Sequence, residues 1–364
     1  MKKLILSVLL IPAVFSAQQN VSRDAEIANY VSQVSADSLK SHINKLVSFG
    51  TRHTMSSTTD AKKGIGAARN WVLSKFKNYA KNSDGRMEVF LQSQTIQPDG
   101  KRINQPTDLG NAIAILRGTD PNDKRIFMIG GHLDSRVSDV MNAKDFAPGA
   151  NDDGSGVGAV IESARVLSQS RFPATIVFVA FSGEEQGLLG AKMLAEKAKN
   201  ENWQLEALLN NDMIGNNLTS ETNLINANQL RVFSEGLPQF DLDKKAQGIR
   251  NLGLENDGEA RQLARYIKEI GERYVDNLEV KLIYRNDRFL RGGDHTSFVN
   301  QGFSAVRLTE FNENYDHQHQ DIRKENGKQF GDLPEFMDFE YFKKNVGVNV
   351  SVLANLAKSP SKPE

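Results

Sequence analysis

Residues 174–190 read ATIVFVAFSGEEQGLLG, and this stretch decides the fold. The run from Thr175 to Phe181 is apolar and rich in β-branched and aromatic side chains, which is typical of a strand buried on both faces. Two adjacent glutamates, Glu184 and Glu185, follow in a glycine-rich turn, and QGLLGAKMLAEKA after them predicts an amphipathic helix. A buried strand that leads through a polar turn into a helix is the repeating unit of α/β folds.

The rest of the chain continues this alternation of strands and helices. The segment from about 24 to 80 has a helical pattern, and a last long helix is predicted near 338–357. Between them, MEVFLQSQTI, NAIAILRG, RIFMIGG, EALLNNDMIG, EVKLIYR and FSAVRLTE read as strands. We therefore predict a single α/β domain over residues 18–364, with a mostly parallel central sheet flanked by helices on both faces.

The charge balance and the lack of cysteine exclude several classes of protein. The 364 residues contain 45 Lys plus Arg and 45 Asp plus Glu, so no basic excess points to a nucleic-acid partner. Without cysteine there is no disulfide, no thiol nucleophile and no thiolate zinc site. Any metal ion must be held by His, Asp and Glu. Composition says nothing about the oligomeric state.

The first residues, MKKLILSVLLIPAVFSAQQN, have the pattern of a secretory signal peptide. Two lysines precede the apolar run 4–15, and Ser16 and Ala17 are small residues suited to a cleavage site. A membrane anchor is the alternative, but the run is shorter than the about 20 residues of a spanning helix. We expect residues 1–17 to be removed and the protein to be secreted or periplasmic, without membrane attachment.

Polar residues with metal-binding side chains recur directly after the predicted strands. In an open α/β sheet, ligands bind beyond the carboxyl ends of the strands, so these residues are candidates for a site. Asp152 and Asp153 precede a helix in PGANDDGSG, and two histidines lie in the loop YDHQHQD that follows the strand FSAVRLTE. The candidates are His132, Asp134, Asp152, Asp153, Glu184, Glu185, Asp212, His317 and His319.

Taken singly, each of these residues is typical of a turn or a helix cap. Their recurrence at one edge of the sheet instead predicts a site for two metal ions, with zinc as the candidate and manganese or cobalt possible ions. His132 and Asp134 share a strand face, so we expect the Asp134 carboxylate to accept the second ring N–H of His132. Of the two adjacent glutamates, one can bind metal while the other takes a proton from water.

The chain resembles the co-catalytic di-zinc aminopeptidase family, which includes secreted bacterial leucine-type aminopeptidases, plasma glutamate carboxypeptidase and the glutaminyl cyclases. The resemblance lies in GGHLDS, PGANDDGSG, FSGEEQGLLG, NNDMIG, GGDHTSF and YDHQHQD, which occur in the family's order between about 111 and 321. LVSFGTRHT near residue 50 is similar to the family's entry segment. The resemblance implies a zinc-exopeptidase fold and peptide substrates with a free N-terminus.

The resemblance also implies roles for individual residues. Asp152 bridges two zinc ions, and Glu184 acts as general base. The implied metal ligands are His132, Asp152, Glu185, Asp212 and His317. The residues implied to support them are Asp134, Asp153, Asp294, His295 and Asp321.

The choice between the two histidines of YDHQHQD rests on spacing. The family has a histidine ligand, three further residues and then an aspartate. His317 and Asp321 fit that spacing, whereas His319 does not. The sequence departs from the family in one respect, because many relatives have tyrosine directly before this ligand. Here that position is Asp316, and Tyr315 stands one residue earlier.

These observations predict a secreted, metal-dependent aminopeptidase with two zinc ions per chain. A glutaminyl-peptide cyclotransferase that uses a single zinc ion is an alternative on the same fold. A dipeptidase or carboxypeptidase of the family would differ in its pocket. A non-catalytic binding protein is a further alternative, but the complete set of ligands and the base disfavours it.

Overall fold

The computed structural model describes residues 22–236, 245–285 and 292–360. The predicted signal peptide at 1–17 lies outside the described residues. Within these described ranges, no helix is long and apolar enough to span a bilayer.

The secondary structure alternates as the sequence predicts. The strands are β1 (Met87–Ile96), β2 (Thr107–Leu116), β3 (Arg125–His132), β4 (Thr175–Phe181), β5 (Gln204–Asn211), β6 (Gln229–Phe233), β7 (Glu279–Ile283), β8 (Ala305–Glu310), β9 (Arg323–Glu325) and β10 (Lys328–Phe330). The helices are α1 (Ala25–Ser32), α2 (Ala36–Val47), α3 (Gly64–Ala80), α4 (Gly154–Leu167), α5 (Leu189–Asn200), α6 (Lys245–Leu252), α7 (Glu259–Tyr274), α8 (Asp294–Val299) and α9 (Phe339–Lys358).

Strands β1 to β8 form one mixed sheet in the order β1-β2-β4-β3-β5-β8-β6-β7. The four central strands β4, β3, β5 and β8 run parallel to one another. The outer strands β2 and β6 each pair antiparallel with the central strand beside them. The predicted α/β fold with a mostly parallel sheet is therefore confirmed, and the carboxyl ends of the central strands meet at one edge.

Helices cover both faces of this sheet. All seven residues of β4 are buried, because its side chains alternate between two apolar layers. Ile176 and Phe178 pack in the larger layer, which includes α4, α7 and α9. Val177 and Val179 pack in the smaller layer, which includes α5 and α8. This two-sided burial explains why the strand reads as a continuous apolar run rather than as an alternation.

The N-terminal helices belong to the larger layer. Leu39 and Ile43 of α2 and Ala68 and Val72 of α3 are fully buried in the same apolar cluster as α4 and α9. The predicted helical segment at 24–80 thus contributes α1, α2 and α3 to one side of the sheet.

Two glycines bring α4 close to the end of β3. A Cβ atom on Gly131 would lie 2.5 Å from the carbonyl carbon of Gly156, so no larger residue fits at Gly131 without a backbone shift. This close approach sets the start of α4, and the two aspartates that precede it, directly beside His132.

Candidate metal centre

Two overlapping groups of side chains meet beyond the carboxyl ends of β3, β4 and β5. The first group is His132, Asp152 and Asp212, and the second is Asp152, Glu185 and His319. In each group the possible ligand atoms lie within 4.8 Å of one another. Asp152 belongs to both groups, and four of the five predicted metal ligands are in them.

In the first group, His132 is the last residue of β3 and Asp212 directly follows β5. His132 Nε2 lies 3.2 Å from Asp152 Oδ1 and 3.9 Å from Asp212 Oδ1. On the other side of the ring, His132 Nδ1 lies 3.0 Å from the backbone oxygen of Asp134. Arg307 places Nη2 3.2 Å from Asp212 Oδ1, so a positive charge balances this carboxylate.

In the second group, His319 faces two carboxylates. Its Nε2 lies 2.9 Å from Asp152 Oδ2 and 2.8 Å from Glu185 Oε1. Arg136 contacts both partners, with Nε 3.1 Å from Glu185 Oε2 and Nη2 2.7 Å from His319 Nδ1. Gln318 adds an amide hydrogen bond of 3.0 Å to Asp152 Oδ2.

Two features of His319 favour opposite states of its ring. Burial lowers its pKa, but the charges of Glu185 and Asp152 outweigh burial and raise the pKa to about 10, which favours a protonated ring. A protonated ring would turn an Nδ1–H group toward Arg136 Nη2 at 2.7 Å. The two carboxylates at Nε2 thus favour the charged ring, and the guanidinium at Nδ1 opposes it.

The structure corrects the prediction that His317 is a metal ligand, because it does not bring His317 into either group. Its ring stacks on Phe336 with centroids 3.8 Å apart and an angle of 10° between the planes. Burial there lowers the pKa of His317 to about 4. Two residues later, His319 has a left-handed backbone with φ of 56°, and its side chain takes the place predicted for His317.

Asp321 supports this loop, although through a different partner than the spacing implies. Its carboxylate accepts hydrogen bonds from the backbone nitrogen and the hydroxyl of Ser138, at 3.2 and 2.7 Å. The loop that contains His319 is thereby joined to the segment that follows β3. Tyr315 is exposed.

Asp134 holds the glutamate turn rather than the imidazole ring. Its Oδ1 accepts hydrogen bonds from the backbone nitrogens of Gly183 and Glu184, at 2.9 and 3.2 Å. Its Oδ2 accepts one from the backbone nitrogen of Glu185 at 3.0 Å. The carboxylate lies 3.8 Å from His132 Nδ1, so the predicted bond to the ring is replaced by the bond to the Asp134 backbone oxygen.

Asp153 joins three elements of the site. Its Oδ2 accepts from the backbone nitrogen of His132 at 2.8 Å. Its Oδ1 accepts from Gly156 at 2.8 Å, which caps α4, and from Met213 at 3.2 Å, beyond the end of β5. The peptide bond between Asp152 and Asp153 is cis. Through its hydrogen bonds to His132, Gly156 and Met213, Asp153 sets the spacing between His132, Asp152 and the end of β5.

Glu184, the predicted general base, lies beside the two groups without belonging to either. Burial raises its pKa well above the ordinary value, His132 acts in the opposite direction, and the charges of Glu185 and Asp212 raise it further. Within the described part of the chain, no hydrogen bond holds the Glu184 carboxylate. Glu184 is partly exposed, which leaves it in contact with solvent.

Asp294 and His295 lie next to the first group and do not join it. A Cβ atom on Gly293 would lie 3.4 Å from both Asp212 Oδ2 and His295 Nδ1. His295 is fully buried, with Nε2 3.5 Å from Glu235 Oε1. Burial raises the pKa of Asp294 to about 8, and its oxygens have no hydrogen-bond partner among the described residues.

Sequence reasoning missed three residues that hold the loops of the site, and Asp332 and Arg136 are two of them. Asp332 accepts hydrogen bonds from the backbone nitrogens of Asn151 and Asp152, at 3.0 and 2.7 Å. Nothing near Asp332 in the sequence marks it, since its partners lie far along the chain. Arg136 was missed as well. It directly follows the motif GGHLDS but is not part of it, so only its contacts with Glu185 and His319 reveal a role.

Arg52 is a third such residue, and it lies within the entry segment LVSFGTRHT. It is 1 % exposed and donates to the backbone oxygens of Leu133, Pro148 and Gly149, at 2.7, 2.6 and 2.9 Å. Burial lowers its pKa to about 10, which leaves the guanidinium charged at neutral pH. Arg52 thus fastens the end of β3 to the loop that leads to Asp152.

An α/β sheet with clustered His, Asp and Glu at its carboxyl edge is typical of metal-dependent hydrolases. The model of peptidase family M28 matches residues 111–333. A probable zinc metalloprotease of Leptosphaeria maculans is 44 % identical over 340 residues, which are 93 % of this chain and 78 % of that protein. One of Pyrenophora teres f. teres is 43 % identical over 343 residues, 93 % of this chain and 70 % of that protein. The chain belongs to peptidase family M28, and the predicted family is confirmed.

Solved structures share the fold. The LapA aminopeptidase of Legionella pneumophila superposes with a TM-score of 0.63 at 20 % identity, covering 94 % of this chain and 77 % of that one. A leucine aminopeptidase precursor of Bacteroides thetaiotaomicron superposes with a TM-score of 0.62 at 17 % identity, covering 89 % of this chain and 98 % of that one. The glutaminyl cyclase of Porphyromonas gingivalis superposes with a TM-score of 0.59 at 18 % identity, covering 89 % of this chain and 99 % of that one. At these identities the likeness concerns the fold alone.

Proposed function

We propose that the chain is a zinc-dependent aminopeptidase that hydrolyses N-terminal residues from peptides, with Glu184 as general base. The observation that carries the proposal is Asp152, whose two carboxylate oxygens face two different histidines in two overlapping groups. Membership of a peptidase family supports peptide substrates. The relatives' names support zinc, and the similar fold of aminopeptidases supports cleavage at the N-terminus.

The residues present fit zinc. Each group offers one imidazole nitrogen and two carboxylates, the donor types that zinc takes in catalytic sites, and three protein ligands leave a position open. His132 Nδ1 faces a backbone oxygen, so the lone pair of Nε2 points toward the carboxylates. We propose two ions per chain. The first would be held by His132, Asp152 and Asp212, and the second by Asp152, Glu185 and His319.

Zinc bound there would polarise the scissile carbonyl and lower the pKa of the attacking water. The chain itself supplies the proton transfer. Glu184 accepts the proton from the attacking water and then delivers it to the leaving amine nitrogen. Asp134 makes this possible because its carboxylate fixes the backbone nitrogens of Glu184 and Glu185, so that the adjacent glutamates keep separate positions.

A panel of aminoacyl-nitroanilides, with zinc counted in the same sample, tests this function. We expect nitroaniline release from substrates with a free amine and none from their N-acetylated forms. The panel also contains a peptide with N-terminal glutamine and a set of dipeptides. Ammonia release from the glutamine peptide with one zinc ion per chain would instead identify a cyclase. Activity confined to dipeptides would identify a dipeptidase, and no turnover of any substrate would leave a binding protein.

We also propose that residues 1–17 direct secretion and that residues 18–364 form the catalytic unit. The charged start and the short apolar run support the first proposal. The shared core of the N-terminal helices and the sheet supports the second. N-terminal sequencing of the protein from the culture medium or periplasm tests secretion, and we expect a start near Ala17 or Gln18. An intact Met1 in a cell-retained protein would contradict it.

A further inference from the structure

A cavity of about 400 Å³ lies between α3 and the outer strands β1 and β2, and it shares no residue with the two metal groups. Its floor contains two cross-strand pairs, Ser93 with Gly110 and Thr95 with Asp108. Its walls come from α3 and from the segment before α3, with Thr58, Thr59, Arg69 and Asn70. The lining is mostly polar, and Arg69 is the one cation among the described residues that form it.

Arg69 is buried without a partner. It is 4 % exposed, yet none of its five N–H groups donates a hydrogen bond within residues 22–236, 245–285 and 292–360. Arg52 is buried to a similar degree, but its guanidinium donates to three backbone oxygens. Because burial of an unpaired charge is unfavourable, a buried guanidinium normally has acceptors. The N–H groups of Arg69 are therefore available to a ligand in the cavity.

The carboxylate of Asp108 does not take up these donors. It is exposed, and its Oδ1 accepts a hydrogen bond from the hydroxyl of Thr95 at 3.0 Å, across the strand pair. In the part of the chain that the structure describes, no ion pair joins Asp108 to Arg69. The charge of Asp108 repels a doubly charged anion about twice as strongly as a singly charged one. The cavity therefore favours a ligand with a single negative charge.

The strand beneath the guanidinium makes room for it. A Cβ atom on Gly110 would lie 2.3 Å from Nη1 of Arg69, so a side chain at this position of β2 would displace the guanidinium. The same Cβ atom would lie 3.0 Å from Cδ1 of Leu91, so Leu91 and Arg69 meet above Gly110. Glycine inside a strand often marks the close approach of another group. Gly110 thus gives the buried guanidinium a defined place in the cavity.

We propose that this cavity is a binding site for a small, singly charged oxyanion, namely a carboxylate, with Arg69 as its counter-ion. A guanidinium presents paired N–H groups that match the two oxygens of a carboxylate. Ser93 and Asn70 line the same cavity and carry further hydrogen-bond donors. The inference goes beyond the proposed function and does not depend on it, because no metal ligand takes part.

Equilibrium dialysis with labelled acetate tests the proposal, since it counts the anions bound per chain. We compare wild type with Arg69→Met, which keeps an apolar stem and removes the charge. Arg117→Met is the matched control, because Arg117 directly follows β2 but pairs with Glu88 at the surface. We expect wild type and the control to bind one acetate more than Arg69→Met does. Acetate on zinc would be common to all three proteins, so equal numbers in all three would overturn the proposal.

Sulfate is the second probe, because it carries two negative charges. We expect sulfate to bind more weakly than acetate at the site that depends on Arg69. Tighter binding of sulfate there would overturn the assignment to a carboxylate and would instead indicate a phosphate-like ligand.

Diffraction from wild-type crystals grown with acetate gives a measurement that needs no variant. We expect acetate within hydrogen-bond distance of the Arg69 guanidinium. An Arg69 side chain that pairs with Asp108, in a cavity without acetate, would overturn the proposal. None of these measurements uses turnover, so their outcome is independent of whether the protein is an aminopeptidase.

Discussion

The carboxylate of Asp332 lies 2.7 Å from the backbone nitrogen of Asp152, although 180 positions separate the two residues. It also accepts the backbone N–H of Asn151 at 3.0 Å. Asp332 is 7 % exposed, and Asp152 is the one side chain common to both candidate metal groups. The position of the shared carboxylate thus depends on a residue from the far end of the chain.

Replacement of Asp332 by Asn is expected to weaken zinc binding at both sites. Both Asp332 oxygens lie 3.0 Å from the backbone nitrogen of Asn151, so in either orientation the amide nitrogen of Asn would face that N–H and weaken the support of the segment that carries Asp152. Residues that orient metal ligands change affinity by about 10- to 100-fold. Zinc titration measures the effect. Asp338→Asn is the control, because Asp338 caps α9 and asparagine is an equally good capping residue, so stability and zinc binding should change little. Unchanged zinc affinity in Asp332→Asn would contradict this role.

The two histidines of YDHQHQD are expected to respond in opposite ways to alanine. His319→Ala removes a side chain that faces Asp152 and Glu185, so it should lose the second zinc ion and most of the activity. His317→Ala should keep the second zinc ion and the activity, and it should lose about 1 kcal/mol of stability because the stack on Phe336 is removed. Metal analysis and thermal unfolding of both variants measure this. Loss of zinc in His317→Ala but not in His319→Ala would instead support His317, the ligand predicted from the spacing.

Glu184→Gln is expected to bind zinc as wild type does and to lose about 100-fold or more in kcat, since an amide cannot accept the proton. Zinc analysis and steady-state kinetics with the best nitroanilide check this. Glu196→Gln on the exposed side of α5 is the control and should behave as wild type. A kcat for Glu184→Gln within a few-fold of wild type would remove Glu184 as the base.

Arg52→Lys is expected to lower the free energy of unfolding by about 3 kcal/mol. An ammonium cannot reach all three backbone oxygens that the guanidinium satisfies, and each buried acceptor left unpaired costs about 1–3 kcal/mol. Urea unfolding measures the change. Arg117→Lys is the control, because Arg117 is half-exposed and pairs with Glu88 at the surface. Equal stability of Arg52→Lys and wild type would mean that other contacts hold these loops.

Glu162 gives a stability change that depends on pH. Burial raises its pKa, but the hydrogen bonds from Arg165, the His42 ring 3.7 Å away and the hydrogen bond from the Ser35 backbone outweigh burial and lower the pKa to about 2. Because the pKa is lower in the folded state, the stabilisation is complete above the ordinary glutamate pKa of 4.5 and is lost as the pH falls toward 2. This lowering of the pKa corresponds to about 3 kcal/mol of stabilisation of the folded state at neutral pH.

Urea unfolding of wild type and Glu162→Gln between pH 3 and pH 7 tests this assignment. The difference between the two proteins should be largest near neutral pH and should shrink in acid, since wild type alone loses the charge. A difference that does not change with pH would show that the charge of Glu162 contributes nothing. The comparison cancels the effects of other groups that titrate in the same range.

The sequence predicts much of this fold because the relevant signals are local. A strand buried on both faces must be apolar throughout, so β4 is recognisable without its neighbours. Parallel strands end at one edge, and therefore metal-binding side chains after successive strands predict a common site. By itself the sequence determined the α/β class, the family, and the positions of His132, Asp152 and Glu185 at that edge.

The tertiary structure decided what the spacing of residues does not contain. His317 and His319 are the same residue type in the same loop. Only the stack of His317 on Phe336 and the left-handed backbone at His319 give the two side chains different surroundings. The contacts of Asp332 with Asp152 and of Arg136 with His319 join segments that lie more than a hundred residues apart. Strand periodicity does not encode such contacts, because they depend on how loops from different strands pack against one another.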